Sequence, residues 1–174
     1  VIALKLDDDD ELIGVKQTDG QKKIVLGTRN GYAIIFDEEE VRPMGRIARG
    51  VKGIKLRAGD EVVGMDTIKR DSEILTVTAG GYGKRTRVDE YSSHHRGAMG
   101  IINLRVTEKT GEVVGLKVVR EGQELMLIST NGIIIRTGID KISVIGRDAQ
   151  GVIIMKTAED DKVASMAILT QKAE

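Results

Sequence analysis

The chain has no cysteine, no tryptophan and one proline, and only four aromatic residues in 174: Tyr32, Phe36, Tyr82 and Tyr91. Without cysteine there are no disulfide staples and no thiolate zinc sites, which fits a reducing compartment. So few rings argue against modules that stack bases on aromatic platforms, and they leave Ile, Val, Leu and Met to build a core. No run of about 18 or more apolar residues and no signal-peptide pattern occurs, so no segment is expected to cross a membrane. Neither sign of charge prevails, with 27 basic residues against 27 acidic. The first residue is Val1 rather than Met, which points to a fragment or a processed product.

Glycine is abundant, at 21 residues, and it is periodic. Gly31, Gly81 and Gly132 are spaced 81 − 31 = 50 and 132 − 81 = 51. Gly50, Gly100 and Gly151 keep the same register, and so do Gly14, Gly64, Gly115 and then Ser165. A period of this length marks a solenoid or a propeller-like array, in which each repeat is one supersecondary unit that buries its faces against its neighbours.

The repeats read as strands. Short apolar runs at 22–28, 73–78 and 124–129 lead into Arg29-Asn30-Gly31, Ala79-Gly80-Gly81 and Thr130-Asn131-Gly132, and a second apolar run follows each. Asn-Gly is a strong hairpin signal because both central positions can take positive φ. A link of about ten residues then leads to third strands near 51–57, 101–106 and 152–156, and after polar turns to fourth strands near 61–65, 112–116 and 162–166. Residues 1–20 match the last two strands of such a unit. The expectation is an all-β, propeller-like array of four-stranded blades, about three and a half in number: a half blade at 1–20 and blades at 21–70, 71–120 and 121–170. An array of that length cannot close a ring, so an exposed edge is expected, covered by more of a larger domain or by a second copy.

No catalytic constellation is visible. His94 and His95 are adjacent, so on a strand they point to opposite faces and do not share a metal. The acidic run 7–10 lacks the spaced oxygens and central glycine of a calcium loop, and reads as a solvated turn. Gly80-Gly81-Tyr82-Gly83-Lys84-Arg85-Thr86 resembles a phosphate loop only in composition, because a strand follows it rather than a helix.

Charge is uneven along the neutral chain. Residues 1–20 carry two lysines against six acids, whereas 42–57 hold Arg42, Arg46, Arg49, Lys52, Lys55 and Arg57 with no acid. Lys84, Arg85 and Arg87 form a basic hairpin, and an arginine recurs at 46, 96 and 147, four residues before a glycine. Such arginines can brace a neighbouring blade, line a rim that meets phosphates, or do both.

The segments Gly45-Arg46 through Met65, Gly100 through Val106, and Glu124 through Thr137 with Ile145 through Val152 resemble the C-terminal domain family of DNA gyrase A, of bacterial type IIA topoisomerases. The resemblance covers nearly the whole chain. It implies a β-pinwheel, a propeller whose blades exchange strands, with a basic outer rim that binds and bends duplex DNA. It implies DNA contacts by Arg42, Arg46, Arg49, Lys52, Lys84, Arg85, Arg87, Arg96, Arg136 and Arg147. It also implies no catalysis and no cofactor in this domain, ATP and Mg being needed only by the complete enzyme. The implied partners are duplex DNA, the remaining domains of gyrase A and, through them, gyrase B, in the cytoplasm at the nucleoid. No glutamine-, arginine- and glycine-rich box of the kind gyrase carries in its first blade occurs here, which leaves topoisomerase IV open as the parent. A protein-interaction propeller and an enzyme with an axial funnel site are the readings from other classes. The second would need converging carboxylates or histidines, and none is visible.

Overall fold

The computed structural model describes residues 2–170, which form a short array of antiparallel sheets. Strands β1 (Lys23–Thr28), β2 (Tyr32–Asp37) and β3 (Val62–Thr67) build the first blade. Strands β4 (Glu73–Thr78) and β5 (Tyr82–Arg87), the two-residue β6 (Ile101–Ile102) and β7 (Val113–Val119) belong to the second repeat. Strands β8 (Gln123–Ser129), β9 (Ile134–Gly138), β10 (Val152–Ile153) and β11 (Val163–Thr170) belong to the third. The sheets run β3-β1-β2-β6, β10-β5-β4-β7 and β11-β8-β9. Each of the first two blades therefore takes its outermost strand from the following repeat, β6 joining blade 1 and β10 joining blade 2. The third sheet has three strands, and β9 is its open edge.

The hairpin turns explain the first glycine series, with one change from expectation. Register pairs Gly27 with Ala33, Val77 with Gly83 and Ile128 with Ile134. Only the glycine of each loop is left-handed, with φ of +84° at Gly31, +78° at Gly81 and +82° at Gly132. Asn30 and Asn131 keep negative φ, so these are not two-residue Asn-Gly turns. They are the longer kind that ends in a left-handed glycine bulge. Thr28, Thr78 and Ser129 close the loops by accepting the amides of Tyr32, Tyr82 and Ile133 on their hydroxyls at 3.2, 3.3 and 3.2 Å.

The carbonyl of Gly31 then receives the amides of Asn103 and Leu104 at 2.8 and 3.0 Å, and that of Gly81 receives Ile154 and Met155 at 2.8 and 3.1 Å. The tip of each hairpin is thus the socket for the exchanged strand.

The Gly14 series has a different cause. Strand β3 packs on β7, and β7 on β11. In a fan of blades the strands that touch their counterparts are those nearest the axis, so β3, β7 and β11 are innermost and β6 and β10 outermost. A Cβ at Gly64 would stand 3.0 Å from the backbone of Leu116, so only glycine admits this approach. The apolar interior divides accordingly. One cluster (Val25, Ala33, Ile35, Ile74, Leu116) joins blades 1 and 2, and another (Leu75, Val77, Leu125, Leu127, Met155) joins blades 2 and 3. A third, Leu26, Ile34, Phe36 and Ile54, fills the far side of blade 1.

Residues 2–20 follow the path of a third and fourth strand without forming a ladder. The amide of Lys5 reaches the carbonyl of Ala48 at 3.4 Å, matching Lys55 to Ala98 at 2.9 Å and Arg105 to Ala149 at 3.2 Å one and two repeats later. Residues 7–10 make a turn, closed from Asp10 to Asp7 at 3.1 Å.

Candidate nucleic-acid interface

The outer edge is built from two elements per repeat: the third segment, and the glycine-arginine link that precedes it. Each link lies on the third segment of the blade before. The amide of Gly97 donates to Gly53 at 2.7 Å, and that of His94 to Ile35, on the outer edge of β2, at 2.9 Å. A side chain that points away from these elements meets solvent on the convex side of the fan.

Arg46 and Lys52 are exposed there, while Arg42 is exposed beside a pocket that it shares with Lys16 and with Met65 and Asp66 of the inner strand β3. Among the described residues, none of the three has a carboxylate within ion-pair distance. Arg49 is exposed and pairs with Asp7 at 2.9 Å. Exposed pairs of this kind contribute about 0–1 kcal/mol, so a phosphate can compete for the arginine.

Arg96 and Arg147 are half-buried and brace the blades. The Arg96 guanidinium donates to the carbonyls of Lys52 at 2.6 Å and Glu40 at 3.1 Å, and its amide donates to the Glu40 carboxylate at 2.9 Å. The Arg147 guanidinium donates to the carbonyl of Ile102, and its amide to the Glu90 carboxylate at 2.9 Å. Of the two readings of this series, the blade-bracing one describes both positions. Arg46, the first of the series, is exposed and makes no such hydrogen bond among the described residues.

The basic hairpin expected at 84–87 has to be taken apart. Lys84 is 0% exposed, and its ammonium donates to the carbonyls of Gly146 and Arg147 at 2.5 and 2.6 Å. Burial pulls its pKa down to about 8 from the ordinary 10.5, against the opposing pull of Glu90 and Asp148. Arg85 is 7% exposed, paired with Glu73 at 2.6 Å and bonded to the carbonyl of Ile142 at 2.8 Å. Both side chains are covered by the link of blade 3, whose carbonyls accept two hydrogen bonds from Lys84 and two from Arg85. Arg87 alone of the three is exposed, and it forms a pair with Asp89 at 2.6 Å that raises its pKa. Arg136 repeats the Arg85 pair, with Glu124, but no following link covers it, so it stays exposed.

One basic series stands outside these motifs. Lys5, Lys55, Arg105 and Lys156 are all exposed, and Arg105 and Lys156 each lie three residues beyond an exchanged strand. Their spacing of 50, 50 and 51 is present in the sequence, each following an apolar residue (Leu4, Ile54, Leu104 and Met155) in the third segment of its repeat. Arg57 lies over the Tyr32 ring, 3.4 Å from its centre, and is occupied there. Among the described residues no group of three His, Asp or Glu could hold a metal. His95 stands 3.5 Å from Glu40, and His94 is half-buried in the link.

Antiparallel blades fanned about an axis, the first two each closed by a strand from the next repeat, define a propeller-like array of the strand-exchanging kind. The model of one family, "DNA gyrase C-terminal domain, beta-propeller", matches residues 1–19, 22–69, 72–120 and 123–170, and the chain belongs to that family. It is 45% identical over 166 residues to the DNA gyrase A protein of Salmonella typhimurium, covering 95% of this chain and 19% of that protein. It is 45% identical over 175 residues to the DNA gyrase A protein of Staphylococcus aureus, covering 99% of this chain and 20% of the relative. The chain thus spans about a fifth of the length of these curated relatives. Among solved structures, the C-terminal domain of DNA topoisomerase IV superposes with a TM-score of 0.92 at 29% identity, over 97% of this chain and 53% of that one. The DNA gyrase A C-terminal domain superposes at 0.90 with 32% identity, over 97% and 58%.

Proposed function

We propose that this chain binds duplex DNA along its convex rim and bends it, as part of the wrapping domain of a gyrase A protein. The observation that carries this reading is the set of exposed cations on one outer edge. Arg46, Arg49 and Lys52, with Arg42 exposed just before them, lie at one end, and Lys5, Lys55, Arg105 and Lys156 recur once per repeat along the edge. Contacts of this kind neutralise phosphates in register without reading bases. Bending a site of 20–30 base pairs costs on the order of 1–6 kcal/mol, and successive contacts along a curved rim offset that cost. In the complete enzyme the bent DNA is presented to the cleavage domains, and gyrase B supplies the ATP hydrolysis that drives negative supercoiling. This domain contributes no catalytic group. Such an enzyme works where the bacterial chromosome lies, in the cytoplasm. A gyrase parent is favoured over topoisomerase IV by the 45% identity to gyrase A relatives.

The test is a salt titration of binding to a duplex of about 40 base pairs, for the native chain and for a variant with Arg42, Arg46 and Lys52 changed to Gln. Removing three phosphate contacts should make the slope of log affinity against log salt shallower by roughly 3. An unchanged slope would remove the rim from the interface.

A further inference from the structure

The concave side of the array holds a second cationic feature, separate from the rim. We propose that it is a binding site for a compact phosphate-type anion carrying two or more negative charges. Two residues past Gly14, Gly64 and Gly115 the sequence places Lys16, Asp66 and Lys117. The innermost strands thereby bring alternating charges together near the axis. A cavity of about 410 Å³ opens there, with Lys16, Asp66, Lys69, Lys117, Gln123 and Thr170 as its polar lining.

Three lysines and one aspartate line the cavity, and the carboxylate is already engaged. Asp66 is 4% exposed. Its oxygens accept the amide of Val118 at 3.0 Å and that of Thr67 at 2.9 Å, and meet the Lys16 ammonium at 2.9 Å. Burial works against its ionisation, but Lys16 and the two amides outweigh it and hold the group below the ordinary carboxylate range. Lys69 and Lys117 have no carboxylate within ion-pair distance among the described residues. Two positive charges are therefore left unneutralised at a concave surface, where low-dielectric walls concentrate their field. The Gln123 amide, which donates to the Thr170 hydroxyl at 3.1 Å, supplies neutral polar groups beside them. Lysines act as mobile point charges that suit the oxygens of a small phosphate, and the cavity is wide enough for pyrophosphate. No aromatic ring lines it, so a nucleobase would have nothing to stack on.

Amide NMR of the 174-residue chain, titrated with sodium pyrophosphate at constant ionic strength, tests the site. Saturable shifts are expected at Lys117, Val118 and Gln123, with Lys69→Gln and Lys117→Gln each weakening the fitted affinity by about tenfold. Asp66→Asn should tighten it, since the amide oxygen can still accept from Val118 while the opposing charge is gone. Lys69 lies at the cavity's margin rather than in a ladder, so its variant keeps the test decisive if the other two fold poorly. Shifts confined to the rim links, or an affinity unchanged in Lys69→Gln, overturn the proposal. Duplex DNA affinity is expected to survive Lys69→Gln, so failure here and failure of the rim reading are separate outcomes.

Discussion

Blades 1 and 2 share one backbone and have opposite interiors. Their hairpins pair in the same register, and both carry a ladder irregularity at the same point, Gly27/Thr28 and Val77/Thr78. Where blade 1 has Leu26, Ile34, Phe36, Val41 and Gly53, blade 2 has Thr76, Lys84, Thr86, Tyr91 and Asn103. In blade 1 the first three pack into an apolar cluster closed by Ile54 and Val41. In blade 2 the polar groups satisfy one another. Tyr91 donates to the Asn103 carbonyl oxygen at 2.5 Å, the Asn103 amide to Thr76 at 3.0 Å, and Thr86 to the carbonyl of Ile145 at 2.9 Å. The repeat constrains the ladder and the turns, and it leaves the inward side chains free so long as each buried polar group finds a partner. The same contrast sorts the cations. Those of residues 42–52 project from blade 1 into solvent, whereas Lys84 and Arg85 of blade 2 are covered by blade 3.

The comparison between a covered and an uncovered blade can be broken most strongly at the socket glycines. A Cβ at Gly81 would stand 1.9 Å from the carbonyl oxygen of Met155, while at Gly132, with a similar φ, it meets nothing within 4 Å. Gly81→Ala should cost about 5 kcal/mol or more by expelling the exchanged strand, and Gly132→Ala about 1–2 kcal/mol from backbone strain alone. Urea unfolding of both variants measures the difference.

The paired arginines give the next contrast. Arg85→Ala empties the buried site of the guanidinium, leaves the half-buried Glu73 carboxylate and the carbonyl of Ile142 without their partner, and should cost about 4 kcal/mol. Arg136→Ala removes the same ion pair from a surface where its arginine is exposed and water already screens the charge, so it should leave the unfolding midpoint almost where it was. Equal losses in thermal unfolding would mean that cover by the next blade does not set the strength of the pair.

The smallest expected contrast between the blades is a titration. Lys84 has its pKa drawn down to about 8 by burial, so between pH 8 and 10.5 the unfolded chain holds a proton that the folded chain has released. Stability should therefore rise with pH across that window, by on the order of 3 kcal/mol for this one group. A neutral amine can still donate to both the Gly146 and Arg147 carbonyls, so the contact survives deprotonation. Subtracting the pH profile of Lys84→Met isolates this contribution, and a flat difference would mean that the ammonium is accommodated without penalty. Blade 1, with Ile34 at this position, has no counterpart to the effect.

Much of the architecture is legible in the chain. The glycine period locates the hairpins, and the β-branched runs locate the two central strands of each blade. Two of the three expected third strands form, as the two-residue ladders at 101–102 and 152–153, whereas 51–57 forms none, and ladders that short cannot be sized from propensity. The turn at Asn30-Gly31 departs from the two-residue type because Asn-Gly also suits a longer loop, in which only the glycine needs positive φ. Lys84 and Arg85 look like surface cations because a hairpin of consecutive basic residues carries no local sign that a segment some 60 residues later will cover it.

By itself the sequence determined the repeat, its register, the left-handed glycines and the share of charge in each segment, because these follow from local backbone chemistry and from counting. Only the tertiary structure decided which cations face outward, which brace a neighbour and which are buried. That depends on the strand and link each blade receives from the next, a contact between residues far apart in the chain whose partner no local pattern names.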